Sequence, residues 1–212
     1  MEGIEVTVEN VREVGPDTVA LELSTPDGFD ALPGQFVVLR VELDGETITR
    51  YYTLSSPRVE ETFELTVGVD PDGDLSPWLA SLEGGETVHV DGPHGRNTYD
   101  RDGDVVAAAG GPGVGPAVAI AEAAQEAGHE ATVIYQDDEP AHVDRLEALE
   151  EAGATVVLVE AGDDETLADA VGTFLEDGHL YVFGFNDFVT TVADAIDDAG
   201  GDSDRALIEN FG

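Results

Sequence analysis

The apolar pattern of this chain changes its period near residue 100, and this change constrains the fold more than any other feature. Before residue 100, apolar segments rich in Val, Thr, Phe and Tyr recur between turn-forming Gly, Pro and Asp residues, as is typical of strands. The segments cover residues 4–8, 19–23, 36–43, 48–54, 63–69 and 88–90. Six short strands at this spacing predict a small antiparallel barrel, with one short helix beginning at Ser76.

After residue 100, apolar strand-like segments alternate with helix-like ones. The strands are expected to begin near Val105, Ala131, Thr155, Leu180 and Ala206. Helical patterns cover residues 116–127, 142–152, 164–175 and 186–199, with acids at their starts and glycines after most of their ends. This alternation predicts a five-stranded parallel, doubly wound sheet. We therefore expect a β-barrel domain at residues 1–100 and an α/β domain at residues 101–212.

The charge composition excludes several classes of chemistry. The 212 residues include eight Arg, no Lys, no Cys and 47 acids, for a net charge of -39. Without lysine or a basic surface there is no Schiff-base chemistry, no P-loop lysine and no binding of nucleic acid. Without cysteine there is no thiolate nucleophile and no thiolate-held zinc or iron–sulfur cluster. The acid runs could hold divalent cations or be solvated surface; we expect surface, and no metal site.

The same composition predicts the kind of organism and the compartment in which the protein works. Acid-rich, lysine-free chains are similar to proteins of salt-in halophiles, in which molar salt screens self-repulsion. Residues 1–8 lack the apolar run of a signal peptide, and the longest uncharged run, residues 105–121, is shorter than the roughly 20 residues of a membrane helix. We expect a cytoplasmic protein of a halophilic archaeon, without membrane insertion.

Two segments carry the patterns typical of phosphate binding. The glycine-rich stretch 107–116 joins a predicted strand to a predicted helix, where a dinucleotide pyrophosphate lies in doubly wound sheets; a structural turn without a ligand is the alternative. On the strand at residues 50–56, Arg50, Tyr52 and Leu54 share one face, so that a guanidinium and a phenol ring lie together. Gly73 and Ser76 then form a second candidate cradle; an ordinary strand with an exposed arginine is the alternative.

These segments resemble the motifs of the ferredoxin–NADP reductase family of flavoproteins. The R-x-Y-[ST]-x-x-S motif is matched by Arg50, Tyr52, Thr53 and Ser56. The P-G-Q-[FY] motif lies at residues 33–36, G-x-x-S at 73–76, G-P-[FY]-G at 92–95 with His94 in place of the aromatic, G-G-x-G-x-x-P at 110–116, the late C-G-P-x-x-[FM] element at 183–188 and E-x-[FY] at 209–211. The matches follow the family order over nearly the whole chain.

The resemblance implies a flavin, FAD more often than FMN, in the first domain and NAD(P)H in the second. It implies hydride transfer to the flavin and electron transfer to a separate acceptor such as ferredoxin or a free flavin. Arg50 and Ser76 would hold flavin phosphates, Tyr52 and Thr53 would contact the flavin ring, and Phe211 would cover it. Catalytic positions are implied at Thr53, Glu209 and Phe211. The implied cofactor-binding positions are Arg50, Tyr51, Tyr52, Thr53, Ser56, Val67, Gly73, Asp74, Leu75, Ser76, Gly110, Gly111, Pro112, Gly113, Pro116, Phe183, Gly184 and Phe211.

Some positions depart from the family pattern. Pro112 stands where Thr is frequent, Phe183 where Cys is usual and Phe185 where Pro is usual. These departures motivate an alternative function: a non-catalytic flavin-binding electron-transfer or regulatory subunit with weakened nucleotide binding. The adenosine ribose is expected near residues 134–139, which offer acids and no arginine, so NADH is favoured over NADPH. Arg145, expected on the surface of a helix, is the only nearby cation that could reverse this preference.

Overall fold

The first half of the chain forms one antiparallel sheet in a computed structural model, which describes residues 3–212. Its strands are β1 (Ile4–Gly15), β2 (Thr18–Ser24), β3 (Phe36–Leu43), β4 (Glu46–Thr53), β5 (Thr62–Gly68) and β6 (Thr87–His94), and a short helix α1 (Ser76–Ala80) follows β5. The order in the sheet is β4-β3-β6-β1-β2-β5. A bridge between Leu54 and Leu65 brings the end of β4 to β5 and makes the sheet barrel-like.

The six predicted strands of the barrel are all confirmed, and only their ends differ. β1 continues to Gly15 although Glu9, Arg12 and Glu13 are charged and exposed, because it pairs with β6 through Ile4–Thr7 and then with β2 from Val8 onward. The barrel interior is closed by fully buried aliphatic and aromatic side chains, including Leu21, Leu39 and Phe63. Burial of such side chains is the main favourable contribution to folding of the sheet.

The second sheet is parallel, as the alternating pattern predicts. Its elements are β7 (Val105–Gly110), α2 (Val114–Ala127), β8 (Ala131–Gln136), α3 (Val143–Glu151), β9 (Thr155–Val159), α4 (Asp164–Phe174), β10 (His179–Gly184), α5 (Asn186–Asp198) and β11 (Leu207–Asn210). The strand order is β11-β10-β7-β8-β9. α2 and α3 cover one face and α4 and α5 the other. The order reverses beside β7, and ligands of open α/β sheets bind at the carboxyl ends of the strands at such a point.

The helix ends follow the predicted chemistry with one exception. α2 ends at Gly128 in the left-handed conformation (φ 85°), and the Asp163 carboxylate accepts a hydrogen bond from the Thr166 N–H at the start of α4. The expectation that acids begin these helices is wrong for α2, whose first turn contains no acid. This first turn packs against the first sheet: a Cβ on Gly115 would collide with the hydroxyls of Ser55 and Thr66.

Polar contacts join the two sheets. Arg145 of α3 binds Glu64 of β5 at 2.9 Å, and Arg58 binds Glu126 of α2 at 2.8 Å. The Asn97 amide donates to the Ile208 carbonyl oxygen at 2.8 Å, which ties β11 to the segment after β6. Among residues 3–212, no helix combines the length and the apolar character that a membrane crossing requires.

Candidate functional site

A cleft of about 620 Å³ lies between the two sheets. Its walls come from β4, β5, the turn before α1, the turn after β7 and the segment after β10. The lining includes twelve of the sequence-predicted site residues: Arg50, Tyr51, Tyr52, Thr53, Gly73, Asp74, Leu75, Ser76, Gly111, Pro112, Pro116 and Phe211. Residues from both halves of the chain, far apart in sequence, therefore meet in one cavity.

The β4 wall carries the cation and the aromatic rings of the cleft. The Arg50 guanidinium donates to the Thr49 carbonyl oxygen at 2.9 Å and is exposed. Burial raises the pKa of Tyr52 to about 12 although Arg50 acts to lower it, so the phenol is neutral at physiological pH. Tyr51 is exposed and contacts the Phe36 ring edge-on, with the ring centroids 5.9 Å apart. This wall offers a guanidinium fork beside two phenol rings and the Thr53 hydroxyl.

The turn before α1 is braced by its own polar groups. The Gly73 N–H donates to the Asp70 carbonyl oxygen at 2.9 Å, and the Asp70 N–H donates to the Ser76 Oγ at 3.0 Å. A Cβ on Gly73 would lie 3.1 Å from the Asp70 carbonyl oxygen, so this position favours glycine. Ser76 therefore holds the turn in shape as well as lining the cleft.

The glycines at the turn after β7 have two kinds of surroundings: one lines the cleft and the others pack in the core. Gly111 has a φ of 54° and lines the cleft with open space where a Cβ would stand. A Cβ on Gly110 would lie 2.7 Å from the Phe188 ring, and one on Gly113 would collide with the backbone of Phe183. Gly110 and Gly113 thus permit close packing of β7 and the following turn against β10 and α5, and they do not line the cleft.

At the end of β10, the aromatic residue that reaches the cleft is not the one that the sequence indicates. Phe183 is fully buried in the core, whereas Phe185 lines the cleft and its ring contacts that of Phe211 edge-on at 5.9 Å. Both faces of β10 are buried, and the strand ends at Gly184, so Phe183 lies within the core and Phe185 lies beyond the end of the strand, just before α5. A Cβ on Gly184 would lie 2.6 Å from the Phe188 ring, so Gly184 serves packing.

Three further predicted site residues lie outside the cleft lining. The Ser56 Oγ accepts a hydrogen bond from the Glu64 N–H at 2.7 Å, and Ser56 lines a second cleft. Val67 is buried in the barrel core. The Glu209 carboxylate accepts from the Asn97 amide at 3.1 Å, and burial raises the pKa of this carboxyl group. Their side chains thus have structural partners away from the cleft.

The structure also brings residues to the cleft that the motifs do not name. Thr66 and Gly68 of β5 lie between the β4 wall and Pro112, whose ring atoms are 3.4 Å from the Cβ position of Gly68. In β5 the core residues Phe63, Leu65 and Val67 alternate with polar Glu64 and Thr66, and this alternation is the signal that could have found the wall. Asp137 and Glu139, from the segment expected near a ribose, also line the cleft.

Two residues expected to be unremarkable lie between the sheets, His142 fully buried and Arg145 partly buried. The expectation that Arg145 lies on the surface is wrong: its guanidinium binds Glu64 at 2.9 Å, Glu122 at 2.7 Å and the Ser55 carbonyl oxygen at 2.8 Å. His142, predicted only as a residue at a helix end, precedes α3 and is 2% exposed. The partners of Arg145 are distant in sequence, so no local pattern reveals them.

Known proteins are similar to this chain in the sequence of the first sheet, and one relative is similar over nearly the whole chain. Residues 5–99 match the family model described as Oxidoreductase FAD-binding domain. The chain is 45% identical over 92 residues to the glycine betaine monooxygenase reductase subunit of Chromohalobacter salexigens, covering 42% of this chain and 25% of that protein. It is 30% identical over 230 residues to the 3-ketosteroid-9-alpha-monooxygenase ferredoxin reductase component of Mycolicibacterium smegmatis, covering 98% of this chain and 65% of that protein. The chain thus spans less than two thirds of the length of either relative.

A solved structure extends the similarity to the second sheet. The crystal structure of a ferredoxin NADP+ reductase from Neisseria gonorrhoeae with bound FAD and NADP is similar with a TM-score of 0.79 at 20% identity, covering 99% of this chain and 98% of that chain. The predicted fold, an antiparallel barrel-like sheet followed by a five-stranded parallel α/β sheet, is confirmed.

Proposed function

We propose that the chain is a flavoprotein reductase of the oxidoreductase FAD-binding domain family and that it uses NAD(P)H, because residues 5–99 match the model of that family. We propose further that residues 1–100 form the FAD-binding domain and residues 101–212 the nucleotide-binding domain. The observation that carries the proposal is the shared cleft: Arg50 and Tyr52 of the first sheet face Gly111 and Pro112 of the second across one cavity. A bound flavin would supply hydride acceptance from NAD(P)H and release of electrons one at a time.

The residues of the first sheet fit a flavin nucleotide. Arg50 makes no ion pair with a carboxylate within residues 3–212, so its guanidinium fork is available for a pyrophosphate. The open space at Gly111 leaves room for backbone approach to a ligand. Tyr52 offers a neutral ring for packing and Thr53 a hydroxyl for a polar ring atom. Phe185 and Phe211 close the cleft from the side of the second sheet.

The electrons would pass to a separate acceptor. Both relatives named above are reductase components of monooxygenases, which supports a protein acceptor such as an oxygenase component or a ferredoxin. With 47 acids and a net charge of -39, the chain is suited to molar salt, and we place it in the cytoplasm of a halophilic organism.

A second candidate function is a flavin-binding subunit that does not react with the nucleotide. Pro112 favours it, because a ring without a hydroxyl lies against Gly68 where the cleft passes between the sheets. The two functions differ in one measurement: anaerobic NADH bleaches the flavin of a reductase and leaves that of a non-catalytic subunit yellow.

We expect NADH to be the better donor. Asp137 and Glu139 line the cleft, and Arg145, the cation that could have paired a 2′-phosphate, is held by Glu64 and Glu122. Screening by molar salt weakens repulsion but supplies no guanidinium. Stopped-flow reduction of the flavin in molar salt should saturate at a lower concentration of NADH than of NADPH; the reverse order would contradict this assignment.

Arg50→Ala tests the flavin site. Loss of a charge-assisted partner of the pyrophosphate should weaken flavin binding by about 1.5–3 kcal/mol. The measurement is flavin stoichiometry after desalting in high salt. Arg205→Ala, at an exposed arginine outside the cleft, is the matched control and should retain flavin. Equal stoichiometry in the two variants would remove Arg50 from the site, and a wild-type protein that takes up no flavin would refute the proposed function.

A further inference from the structure

Phe185 is a large apolar side chain that stays exposed beside the cleft. Its exposed fraction is 54%, it lines the cleft, and it stands where the family pattern has Pro. Its ring meets the Phe211 ring edge-on, with an interplanar angle of 90° and a centroid distance of 5.9 Å. Edge-on pairs are a favoured geometry of aromatic side chains. A proline has no aromatic ring to make this contact, so the contact comes with the departure from the family pattern.

The backbone that carries this ring pair is held on both sides. The Phe211 N–H donates to the Gly184 carbonyl oxygen at 3.0 Å. The Asn210 side-chain amide donates to the Asn186 side-chain oxygen at 3.2 Å, which ties the end of β11 to the start of α5. Phe185 is the residue immediately before α5, so its backbone position is set by that helix. Rotation about the side-chain dihedrals is therefore the motion left to the two rings.

The ring pair lies on the second-sheet side of the cleft. Phe185 follows β10 and Phe211 follows β11, and the neighbouring turn with Gly111 and Pro112 lines the same cavity. A flavin held by the β4 wall would turn one face of its ring toward these residues. The Phe211 ring and a nicotinamide ring would both occupy that face, so a nucleotide can stack there only after Phe211 has turned aside. This step rests on the proposed function.

We propose that Phe185 is a positioning residue: it holds the Phe211 ring over the cleft and thereby sets how readily a nucleotide can open the cleft. When the Phe211 ring turns aside, its edge-on contact with Phe185 is lost. The free energy of that contact is subtracted from the binding free energy of the nucleotide, because the nucleotide binds only the open state. The departure from Pro at this position thus makes nucleotide binding weaker than the contacts of the nucleotide alone would give.

A direct contact between Phe185 and the nucleotide predicts a change of opposite sign. A Phe185 ring that stacked on the nicotinamide would strengthen binding, so its removal would weaken binding. A Phe185 ring that braces Phe211 opposes binding, so its removal strengthens binding. The observed contact favours the brace, because the Phe185 ring already has the Phe211 ring as its partner. The direction of the change in affinity therefore distinguishes the two roles.

The test is the dissociation constant of NAD+ with the flavin-loaded protein in molar salt, followed by the flavin absorption spectrum. NAD+ does not reduce the flavin, so binding is measured without turnover. Phe185→Ala should lower this dissociation constant by about 2- to 10-fold, the range of one edge-on aromatic pair. Phe185→Tyr keeps the ring and should stay within about twofold of wild type. Leu158→Ala, at an exposed apolar residue outside the cleft lining, is the matched control and should leave the dissociation constant unchanged.

A double variant shows whether Phe185 acts through Phe211. Phe211→Ala should lower the dissociation constant of NAD+ at least as much as Phe185→Ala does, and the double variant should differ from Phe211→Ala by less than about twofold. Phe185→Leu, which keeps an apolar side chain without the aromatic ring, takes the place of Phe185→Ala if that variant fails to fold.

Three results would overturn the inference. They are a dissociation constant that Phe185→Ala leaves unchanged or raises, an effect of Phe185→Ala that persists in the Phe211→Ala background, and NAD+ binding that is undetectable in wild type and variants alike. Flavin uptake and bleaching by NADH in wild type, together with any of these results, contradict this inference alone. A wild-type protein that takes up no flavin contradicts the proposed function.

Discussion

Arginine positions show how single residues acquire their roles in this chain. Three of the eight arginines join the two halves of the chain. Arg58 binds Glu126 of α2, Arg101 donates to the Pro57 carbonyl oxygen, and Arg145 of α3 binds Glu64 of β5. Arg50 is exposed at the cleft. Acids are so frequent in this chain, with 47 of them, that the local sequence does not reveal which carboxylate an arginine pairs with. The ion pairs of an arginine therefore depend on which elements the fold brings together. The motif around Arg50 is local and could be predicted, whereas the burial of Arg145 could not.

His142 should make stability depend on pH. Burial lowers its pKa in the folded protein to about 3, below the value of about 6.5 in the unfolded chain. The unfolded chain therefore binds a proton first, and this residue lowers stability as pH falls from 6.5 toward 3. Relative to His142→Gln, wild type should lose about 2 kcal/mol of unfolding free energy between pH 7 and pH 5.

Denaturant unfolding at the two pH values in constant high salt checks this prediction. The raised pKa values of Glu64 and Glu209 act in the opposite direction, but both groups are present in wild type and variant, and their effect cancels in the difference. Parallel pH profiles for the two proteins would show that His142 is not buried as a neutral ring.

At the scale of elements, two helical glycines should respond to alanine in opposite ways. Gly115 in α2 has no room for a Cβ, because Ser55 and Thr66 occupy its place, while the nearest atom to a Cβ on Gly172 in α4 is the Ala199 Cβ at 3.4 Å. Gly115→Ala should destabilise the protein by about 1–3 kcal/mol through overpacking. Gly172→Ala should be neutral or stabilise it by up to about 1 kcal/mol through helix propensity.

Thermal melts in molar salt compare the two alanine variants. A Gly115→Ala protein as stable as Gly172→Ala would mean that α2 does not rest on the Ser55–Thr66 pair. Gly115→Ala should also weaken FAD binding, because a displaced α2 would move the Gly111–Pro112 turn away from the cleft.

The elements themselves were largely predictable, and the reasons lie in local chemistry. Strand β7 and helix α2 follow from an apolar run and a terminal Gly128, and the short helix at Ser76 follows from Pro77. The function of each glycine was not predictable, because Gly110 and Gly111 differ in backbone conformation and in what approaches them from other elements, and neither difference is visible in the motif. Likewise, Phe183 was expected at the cofactor but lies in the core, because burial depends on the neighbours of β10, and Phe185 lines the cleft.

At the scale of the whole molecule, the partly buried ion pairs of Arg145 should hold the two sheets together. Arg145→Met leaves the half-buried Glu122 without its cation, whereas Glu64 keeps Arg12, and the variant should cost about 1–3 kcal/mol of stability. Arg58→Met removes an exposed pair with Glu126, which keeps Arg101, and should cost at most about 1 kcal/mol. Denaturant unfolding in molar salt measures both; equal small losses would show that Arg145 contributes no more than a surface pair.

The net charge of -39 should make the whole fold depend on salt. The Debye length falls from about 10 Å at 0.1 M salt to about 3 Å at 1 M, so repulsion among the surface acids is strong only at low salt. We expect the melting temperature to rise steeply between 0.1 M and 2 M NaCl, with flavin lost at the low end. A melting temperature that does not change with salt would contradict both the screening argument and the proposed halophilic origin.

A matched variant separates charge repulsion from a general effect of salt on burial. Glu147, Glu150 and Glu151 are exposed on α3, and the last two lie in its final turn, where the helix dipole disfavours a negative charge. Replacing all three with Gln should raise the melting temperature at 0.1 M NaCl and change it little at 2 M, where the charges are already screened. Because both proteins bury the same apolar surface, any strengthening of burial by salt is common to them. An equal gain at both salt concentrations would assign the effect to helix propensity instead of charge, and the salt dependence of wild type would then need an origin other than its surface acids.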